Sequence, residues 1–256
     1  DEALFNSVVW RNKQCFVGYL RRLAPFKITD EALFISPDNG IKMSKYYEHS
    51  RIPDSKNMDE LKASMETLRK LHELTIDFGY TDTLFQRMAR YKTFAHDVGG
   101  ERFFLEGINQ YFDKMDQFRH EMESNEDVQH VFIHGDASIN NFLITKEFDY
   151  PILIDFEFPA MGDPYDDLAT FCVDAEYRKK DILQVLELYL GKKPNKSQQY
   201  KLLGFCVVGA LMWYCWAAYK AAIETDNQLY IDFRNSYHQY VIDVSFEMMQ
   251  IGDLET

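Results

Sequence analysis

Basic residues are scarce in this chain. Its 28 lysines and arginines stand against 41 aspartates and glutamates, which gives a formal net charge of −13. A surface that binds nucleic acid or an anionic membrane needs a basic patch, so this balance argues against both kinds of partner. It suits a soluble protein whose ligand is cationic or arrives with a metal ion, although acidity alone also keeps a protein soluble.

Cysteine is scarce as well, and the four cysteines form no CxxC pair and have no histidine at metal-ligand spacing: Cys15, Cys172, Cys206 and Cys215. Three of them lie within apolar runs, which predicts buried thiols in a reducing compartment. The opening stretch DEALFNSVVW has no basic segment and only a short apolar run, so we expect no signal peptide and a cytoplasmic protein.

One uncharged apolar run, LLGFCVVGALMWYCWAAY, approaches the length of a membrane span. Its second half is rich in tryptophan and tyrosine and its flanks are polar, which favours a buried core helix over a span. The chain has no internal repeat and no low-complexity linker.

The hydrophobic pattern predicts an α+β arrangement. The first 25 residues are predicted to be helical, and EALFISPDNGIKMSKYY is predicted to form two strands around a turn. A helix follows that is capped by Asn57, and further helices are predicted at 81–97, 101–124, 164–175, 179–190, 197–223 and 230–250. Two short strands, NNFLIT and YPILIDF, interrupt the helices.

Residues that can carry chemistry concentrate around these two strands. Asp136 precedes Asn141 by five residues in the loop HGDASINN, and Asp155 and Glu157 end the second strand. If the strands pair as a hairpin, Asn141 and Asp155 lie at the same end. Their amide and carboxylate oxygens suit a Mg²⁺ that keeps several waters, and Asp136 could accept a proton from a hydroxyl. Each carboxylate taken singly could equally cap a turn.

This loop and hairpin resemble the catalytic core of protein-kinase-like phosphotransferases, where a catalytic aspartate precedes a metal-binding asparagine by five residues. The resemblance implies a protein-kinase-like α+β fold with a mostly helical C-terminal lobe and a small catalytic hairpin. It also implies ATP as co-substrate, Asp136 as the catalytic residue, and Asn141, Asp155 and Glu157 as ligands of Mg²⁺.

The segment GDPYDDLATF predicts a helix that begins at Pro164 behind a cap at Asp163. It resembles a segment of small-molecule kinases of the aminoglycoside phosphotransferase type, in which an aspartate braces the catalytic loop. That resemblance assigns the bracing role to Asp167. His134 and His72 are expected to be core histidines that order the structure and carry no proton in the reaction.

Trp213 and Trp216 lie three residues apart in the most apolar helix and so share a face. From the residues alone, the pair is either part of the core or part of an aromatic cage for a quaternary ammonium group.

The chain is also similar to choline kinases, including the bacterial type, over nearly its entire length after residue 30. That similarity implies phosphorylation of the choline hydroxyl to phosphocholine. It implies that Trp213, Trp216 and Phe233, the last within YIDF, bind the cation and that Asp174 supplies its countercharge. The family usually has glutamate in place of Asp174 and tyrosine in place of Phe233. Tyr177 is a lesser candidate for the cage.

The sequence departs from this family near its beginning. No glycine-rich loop and no strand lysine precede RNKQCFVGYLRRL, which resembles the helix that usually carries a paired glutamate but offers none. We therefore expect an incomplete N-terminal, nucleotide-binding lobe plus hinge at 1–47, and a helical C-terminal lobe with the catalytic loop and substrate site at 48–256. Hinge contacts to adenine are expected from the backbone of Met43, Ser44 and Lys45.

Three alternatives stay open at this point. The acceptor could be ethanolamine or another amino alcohol, or it could be an aminoglycoside, although polycationic sugars are usually held by carboxylates and not by indoles. The chain could also be a catalytically inactive choline-binding relative. The expected partners are ATP and a small-molecule substrate, with no nucleic acid and no membrane span, in a monomer or a homodimer.

Overall fold

The computed structural model describes residues 22–36, 41–77, 79–99, 101–124 and 129–252. In these ranges the helices are α1 Met58–His72, α2 Leu84–Gly99, α3 Asn109–Ser124, α4 Pro164–Asp174, α5 Lys179–Leu190, α6 Lys196–Ile223 and α7 Gln228–Gly252. The strands are β1 Ala32–Ile35, β2 Lys42–Ser44, β3 Val131–Ile133, β4 Phe142–Leu143, β5 Ile152–Leu153 and β6 Ala160–Gly162. Short 3₁₀ turns span Ala24–Phe26, Glu101–Phe103 and Ile139–Asn141. The α+β prediction is confirmed.

The strands form three antiparallel pairs: β1 with β2, β3 with β6, and β4 with β5. The predicted hairpin is confirmed, since Phe142 pairs with Leu153 and Leu143 with Ile152. The pair β3–β6 was not predicted, because each of its strands is only three residues long and too short for a period-2 pattern to stand out.

The helix α1 shows how local sequence sets an element. Asn57 caps it, because the side-chain oxygen accepts from the backbone N–H groups of Asp59 and Glu60 at 3.1 and 3.4 Å. Its apolar face is buried: Leu61, Met65, Leu68 and Leu71. The side chain of Glu60 does not close a capping box; it accepts two hydrogen bonds from Arg51 instead.

The core helix is α6, which packs most extensively against α7 and α2. A capping box between Asn195 and Gln198 starts it. It is the one helix in the described part of the chain with the length and apolarity to cross a membrane, and 83% of its most apolar window is buried inside the structure. Its composition is therefore explained by its position in the core.

Two predicted helices differ from the structure. The predicted helix 101–124 is broken: after the 3₁₀ turn the chain makes a loop in which Gly107 has a φ of +81°, and α3 begins only at Asn109. Phe104 and Ile108 fall within this break. The N-terminal helix lies outside the described residues, apart from helical Arg22 and Leu23.

Candidate active site

The loop between β3 and β4 carries Asp136 beside the small hairpin. Asn141 ends the 3₁₀ turn of this loop, and its Nδ2 donates to the backbone oxygen of Asp136 at 2.8 Å and to the carboxylate Oδ2 at 3.2 Å. The amide oxygen Oδ1 of Asn141 is not used in this contact. The five-residue spacing therefore closes a small ring in which Asn141 holds Asp136 and keeps an oxygen for another ligand.

Pairing of β4 with β5 brings Asp155 to the same end of the hairpin as Asn141. The N–H of Ile154 donates to the backbone oxygen of Asn141 at 2.9 Å, and Asp155 follows directly. Asp155 has a φ of +63°, in the left-handed region that strains most side chains but that aspartate adopts more readily than most. The pairing therefore places both residues at the same end of the hairpin, as the sequence predicts.

The carboxylate of Asp136 lies in an acidic environment. Burial raises its pKa most, and the charges of Asp155 and Asp174 raise it further. Two groups counteract this rise, His134 and the guanidinium of Arg87. The loop therefore holds a carboxylate that is costly to ionise unless positive charge is near.

Glu157 shares this environment. Burial and the charges of Asp155 and Asp136 raise the pKa of Glu157 to about 7. Three mutually repelling carboxylates and the amide oxygen of Asn141 are hard donors, and their chemistry fits a divalent cation. Among the described residues no group of three or more His, Cys, Asp or Glu side chains is arranged to hold a metal ion. A Mg²⁺ that keeps waters and binds phosphates needs only one or two protein carboxylates.

His134 is fully buried and both of its ring nitrogens are used. The N–H of Asp136 donates to Nδ1 at 3.2 Å, and Nε2 lies 2.9 Å from the backbone oxygen of Ile154. Because Nδ1 accepts, the ring proton is on Nε2 and is donated to that carbonyl. The ring connects the loop to the end of β5 and has no nitrogen left to exchange a proton with a substrate.

Asp167, on the first turn of α4, lies under the same loop. Its two oxygens accept from the N–H groups of His134 and Gly135, both at 2.8 Å, and from Nε2 of His72 at 2.9 Å. Tyr189 contacts the other nitrogen of His72 at 2.8 Å. Burial opposes ionisation of Asp167, but the hydrogen bonds from His72 and the backbone hold its pKa below its ordinary value. The carboxylate therefore anchors the start of the loop.

Asp174 lies two turns further along α4 and holds the other end of the loop. Its Oδ2 accepts from Ser138 Oγ at 2.9 Å, from the N–H of Ile139 at 3.1 Å and from Asn140 Nδ2 at 3.2 Å. Burial raises its pKa, although these hydrogen bonds oppose the rise. The predicted countercharge for a substrate is thus already engaged by the loop through one of its two oxygens.

The two tryptophans of α6 belong to a group of four half-buried rings, which we call the aromatic group: Trp213, Trp216, Tyr230 and Tyr237. Trp213 and Trp216 meet edge to face at 5.5 Å, Tyr237 stacks on Trp213 at 6.5 Å, and Tyr230 meets Trp216 at 5.6 Å. The sequence prediction found the tryptophans but missed both tyrosines. Their spacing of seven residues on α7 places them on one helix face, which was the available signal.

Tyr237 joins the aromatic group to the catalytic loop. Burial raises its pKa to about 12, and the charges of Asp174, Glu176 and Asp136 contribute to the rise. The ring stacks on Trp213, and the negative charges of the loop carboxylates act on the hydroxyl of Tyr237. Tyr237 therefore lies within electrostatic reach of the loop carboxylates.

Two predicted cage residues do not join the aromatic group. Phe233 is 39% exposed and makes no ring contact within the described chain. It lies one helical turn before Tyr237, on the outer part of the same face. Tyr177 donates its hydroxyl hydrogen to the backbone oxygen of Ser55, and its ring lies against Phe171.

The predicted adenine contacts fall on β2 and the residue after it. Met43 and Ser44 belong to β2, and the N–H of Lys45 donates to the backbone oxygen of Glu31 at 2.9 Å. The ammonium of Lys45 pairs with Glu147 at 2.5 Å. The amide of Lys45 is therefore engaged within the protein.

Several solved structures are similar to this chain. Choline kinase LicA from Streptococcus pneumoniae superimposes with a TM-score of 0.74 at 18% identity, covering 91% of this chain and 80% of that one. A choline/ethanolamine kinase family protein from Mesorhizobium loti gives 0.73 at 19% identity, with 90% and 77% covered. The aminoglycoside phosphotransferase APH(2'')-Ib, ADP-bound, gives 0.60 at 16%, with 93% and 84% covered. At these identities the likeness shows the fold, which is protein-kinase-like.

Sequence comparison identifies the family. No curated protein sequence matches the chain significantly. The profile of the phosphotransferase enzyme family matches residues 38–198, a range that contains the catalytic loop, the hairpin and α4. Because this range is more than half of the chain, the protein belongs to the phosphotransferase enzyme family.

Proposed function

We propose that the protein transfers the γ-phosphoryl group of ATP to the hydroxyl of choline, giving phosphocholine and ADP. The observation that carries the proposal is the position of Tyr237, which stacks on Trp213 and lies within electrostatic reach of Asp174 and Asp136. An aromatic surface near a catalytic base suits a small alcohol that carries a cationic group at its other end. The choline kinases among the similar structures support this choice.

In this proposal the aromatic group binds the trimethylammonium end. Tryptophan and tyrosine faces attract such a cation through their quadrupoles, by about 2 kcal/mol or more where water is excluded. Trp213, Trp216 and Tyr237 form the inner wall. The free oxygen of Asp174 supplies countercharge, and Phe233 lies at the outer rim. We leave Tyr177 a packing role beside Ser55.

The chemistry is assigned to the loop. Asp136 accepts the proton of the choline hydroxyl while the alcohol oxygen bonds to the γ-phosphorus, and the bond from that phosphorus to the ADP oxygen breaks. Mg²⁺ held by Asn141, Asp155 and Glu157 would neutralise charge on the phosphates. Asp167 fixes the loop, so that Asp136 meets the hydroxyl in a defined geometry.

The nucleotide is assigned to the region around β2. Within the described residues β2 is paired on one side only, so its other edge, along Met43 and Ser44, is open to a ligand. Lys45 would take part through its carbonyl, since its amide is engaged. In this proposal residues 1–47 belong to an incomplete nucleotide-binding lobe with the hinge, and 48–256 form the helical lobe with the catalytic loop and substrate site. Structures of LicA with AMP and of APH(2'')-Ib with ADP support nucleotide binding in this fold.

The test is ADP release with Mg·ATP and one of three acceptors: choline, ethanolamine or an aminoglycoside. Choline is expected to give the highest kcat/KM. Asp136→Asn should lower kcat about 10²- to 10⁴-fold. Asp149→Asn, an exposed aspartate in the hairpin turn, is the matched control and should leave kcat unchanged.

Two results would contradict the proposal. A preference for ethanolamine or the aminoglycoside would keep the phosphotransferase and change its acceptor. Absence of turnover with every acceptor, together with choline binding that Trp213→Ala abolishes, would make the protein a choline-binding relative without catalysis.

A further inference from the structure

Arg87 occupies an unexpected position on α2. It is 3% exposed and lies on the inner face of the helix together with Leu84, Met88 and Tyr91. A guanidinium on a core face carries a desolvation cost, and arginine is rarely buried there without a specific partner. The partner should therefore explain why the side chain is in the core.

That partner is the backbone of the catalytic loop. Nη1 of Arg87 donates to the carbonyl oxygen of Gly135, the residue before Asp136. Nε and Nη2 find no hydrogen-bond partner among the described residues. The charge of Arg87 also acts on Asp166 and lowers its pKa, but burial outweighs this effect and raises the pKa of Asp166 to about 8. The carboxyl of Asp166 is therefore neutral near pH 7. Asp166 therefore does not neutralise the charge of Arg87.

Gly135 makes this hydrogen bond consequential. Its φ is +81°, and a Cβ at this position would lie 1.9 Å from the backbone oxygen of Phe158. The chain therefore turns here in a way that only glycine permits. The N–H of Gly135 is held by Asp167 from α4, while its carbonyl is held by Arg87 from α2.

The carbonyl of Gly135 and the N–H of Asp136 belong to the same planar peptide unit. Fixing the direction of one fixes the other, and the N–H of Asp136 points to His134 Nδ1. Arg87 and His134 thus hold the two ends of the peptide from which the Asp136 side chain leaves the backbone, while Asp167 holds the peptide before it.

We propose that Arg87 is a positioning residue, which orients the peptide between Gly135 and Asp136 and so aims the Asp136 carboxylate at the acceptor hydroxyl. The inference rests on the phosphotransfer part of the proposed function and not on choline as the acceptor. The positive charge of Arg87 supports the same role, because it favours the ionised form of Asp136.

The experiment compares Arg87→Met and Arg87→Lys with Arg90→Met. Arg90 is one turn further on the same helix and pairs with Asp82 at 3.0 and 2.8 Å, away from the loop, so it controls for loss of an arginine from α2. We expect Arg87→Met to lower kcat ten- to a hundredfold, the scale of an ångström-sized misplacement, with the KM of ATP and of the acceptor within about threefold. Arg87→Lys should restore part of kcat, because an ammonium can donate to the same carbonyl.

Two further readouts keep the inference independent of the acceptor. One is slow ADP release with water as acceptor, which tests Arg87 even if no alcohol is turned over. The other is amide hydrogen exchange in residues 131–141, which should accelerate about tenfold in Arg87→Met and not in Arg90→Met. This second readout needs no catalysis.

Unchanged kcat and unchanged exchange in Arg87→Met would overturn the inference. So would equal losses in Arg87→Met, Arg87→Lys and Arg90→Met, since these would show only a general weakening of α2. Failure of wild-type turnover on choline, with intact effects of Arg87 on water transfer and exchange, would contradict the proposed acceptor and leave this inference supported.

Discussion

The catalytic loop and the aromatic group are held in opposite ways. In the loop, directional hydrogen bonds donated to the α4 carboxylates fix individual atoms, as the contacts of Asp167 and Asp174 show. In the aromatic group, rings meet at 5.5 to 6.5 Å and no hydrogen bond joins them to one another. Hydrogen bonds impose distance and angle, whereas ring contacts tolerate small displacements. The molecule thus fixes the atoms assigned to chemistry and leaves the recognition surface adjustable.

This difference predicts a separation of effects. Changes in the loop should affect folding stability and kcat together, because the same hydrogen bonds serve both. Changes among the rings should act on substrate binding, with little effect on stability. The following four changes test that separation, from the largest expected effect to the smallest.

Asp167→Asn should be the most disruptive. The N–H groups of His134 and Gly135 and the His72 ring all donate to this buried carboxylate, and an amide cannot accept from all of them. The free energy of unfolding should fall by about 3 kcal/mol, measured by urea denaturation. Asp149→Asn is the control. A stability equal to wild type would show that the loop does not depend on this anchor.

Trp213→Ala should separate binding from chemistry. The substitution removes the ring that contacts both Trp216 and Tyr237, and a lost cation–π contact of about 2 kcal/mol raises KM for choline about thirtyfold. The kcat should stay within about threefold, since the loop hydrogen bonds described above go to α2, α4 and the hairpin and not to the rings. Phe246→Ala, an exposed aromatic on α7, is the matched control in the same steady-state measurement. A fall in kcat with unchanged KM would contradict the comparison.

Asp166, on the helix α4 that anchors the loop, should make the free energy of unfolding depend on pH. The folded chain holds its proton up to about pH 8, because burial raises its pKa, whereas the unfolded carboxyl ionises near 3.8. The unfolded state therefore binds fewer protons between these values, and stability falls as pH rises, by about 1.4 kcal/mol per pH unit. Asp166→Asn should lessen this slope by its own contribution in urea titrations between pH 5 and 7.5, and Trp213→Ala should leave the slope unchanged. An unchanged slope in Asp166→Asn would place its origin elsewhere.

Tyr237→Phe should have the smallest effect. The substitution keeps the ring that stacks on Trp213 and removes only the hydroxyl, so KM for choline should change less than threefold. Tyr237→Ala should raise KM about tenfold in the same assay, by the loss of ring surface. If the phenylalanine variant were as impaired as Trp213→Ala, recognition would depend on a directional hydroxyl contact, and the comparison would fail.

Local spacing was enough to predict part of this site. Asp136 and Asn141 are in one loop, so five residues of sequence already limit how far apart they can be. Asp155 follows from the pairing of two adjacent apolar strands. The anchors from elsewhere were harder, because His72 and Asp167 are 95 residues apart and meet only through the packing of α1 beside the loop.

The aromatic group shows where sequence reasoning ends. Tyr237 and Phe233 are one turn apart on α7, and both fit a wall of rings. Which of them meets Trp213 depends on the crossing of α6 and α7, which is set by many contacts along two long helices. Arg87 was missed for a related reason. An arginine in a helical sequence is normally expected to be exposed, and only the tertiary packing shows that the loop accepts its hydrogen bond.

At Asp155, folding stability and the proposed activity have opposite requirements. Its left-handed backbone strains an aspartate by an amount of order 1 kcal/mol, and its charge repels Asp136 and Glu157. Asp155→Gly would relieve both, so the glycine variant should melt at a higher temperature than the wild type while losing a proposed metal ligand. Directed evolution for heat resistance alone would accordingly discard this aspartate early, and only a selection that includes turnover would keep it.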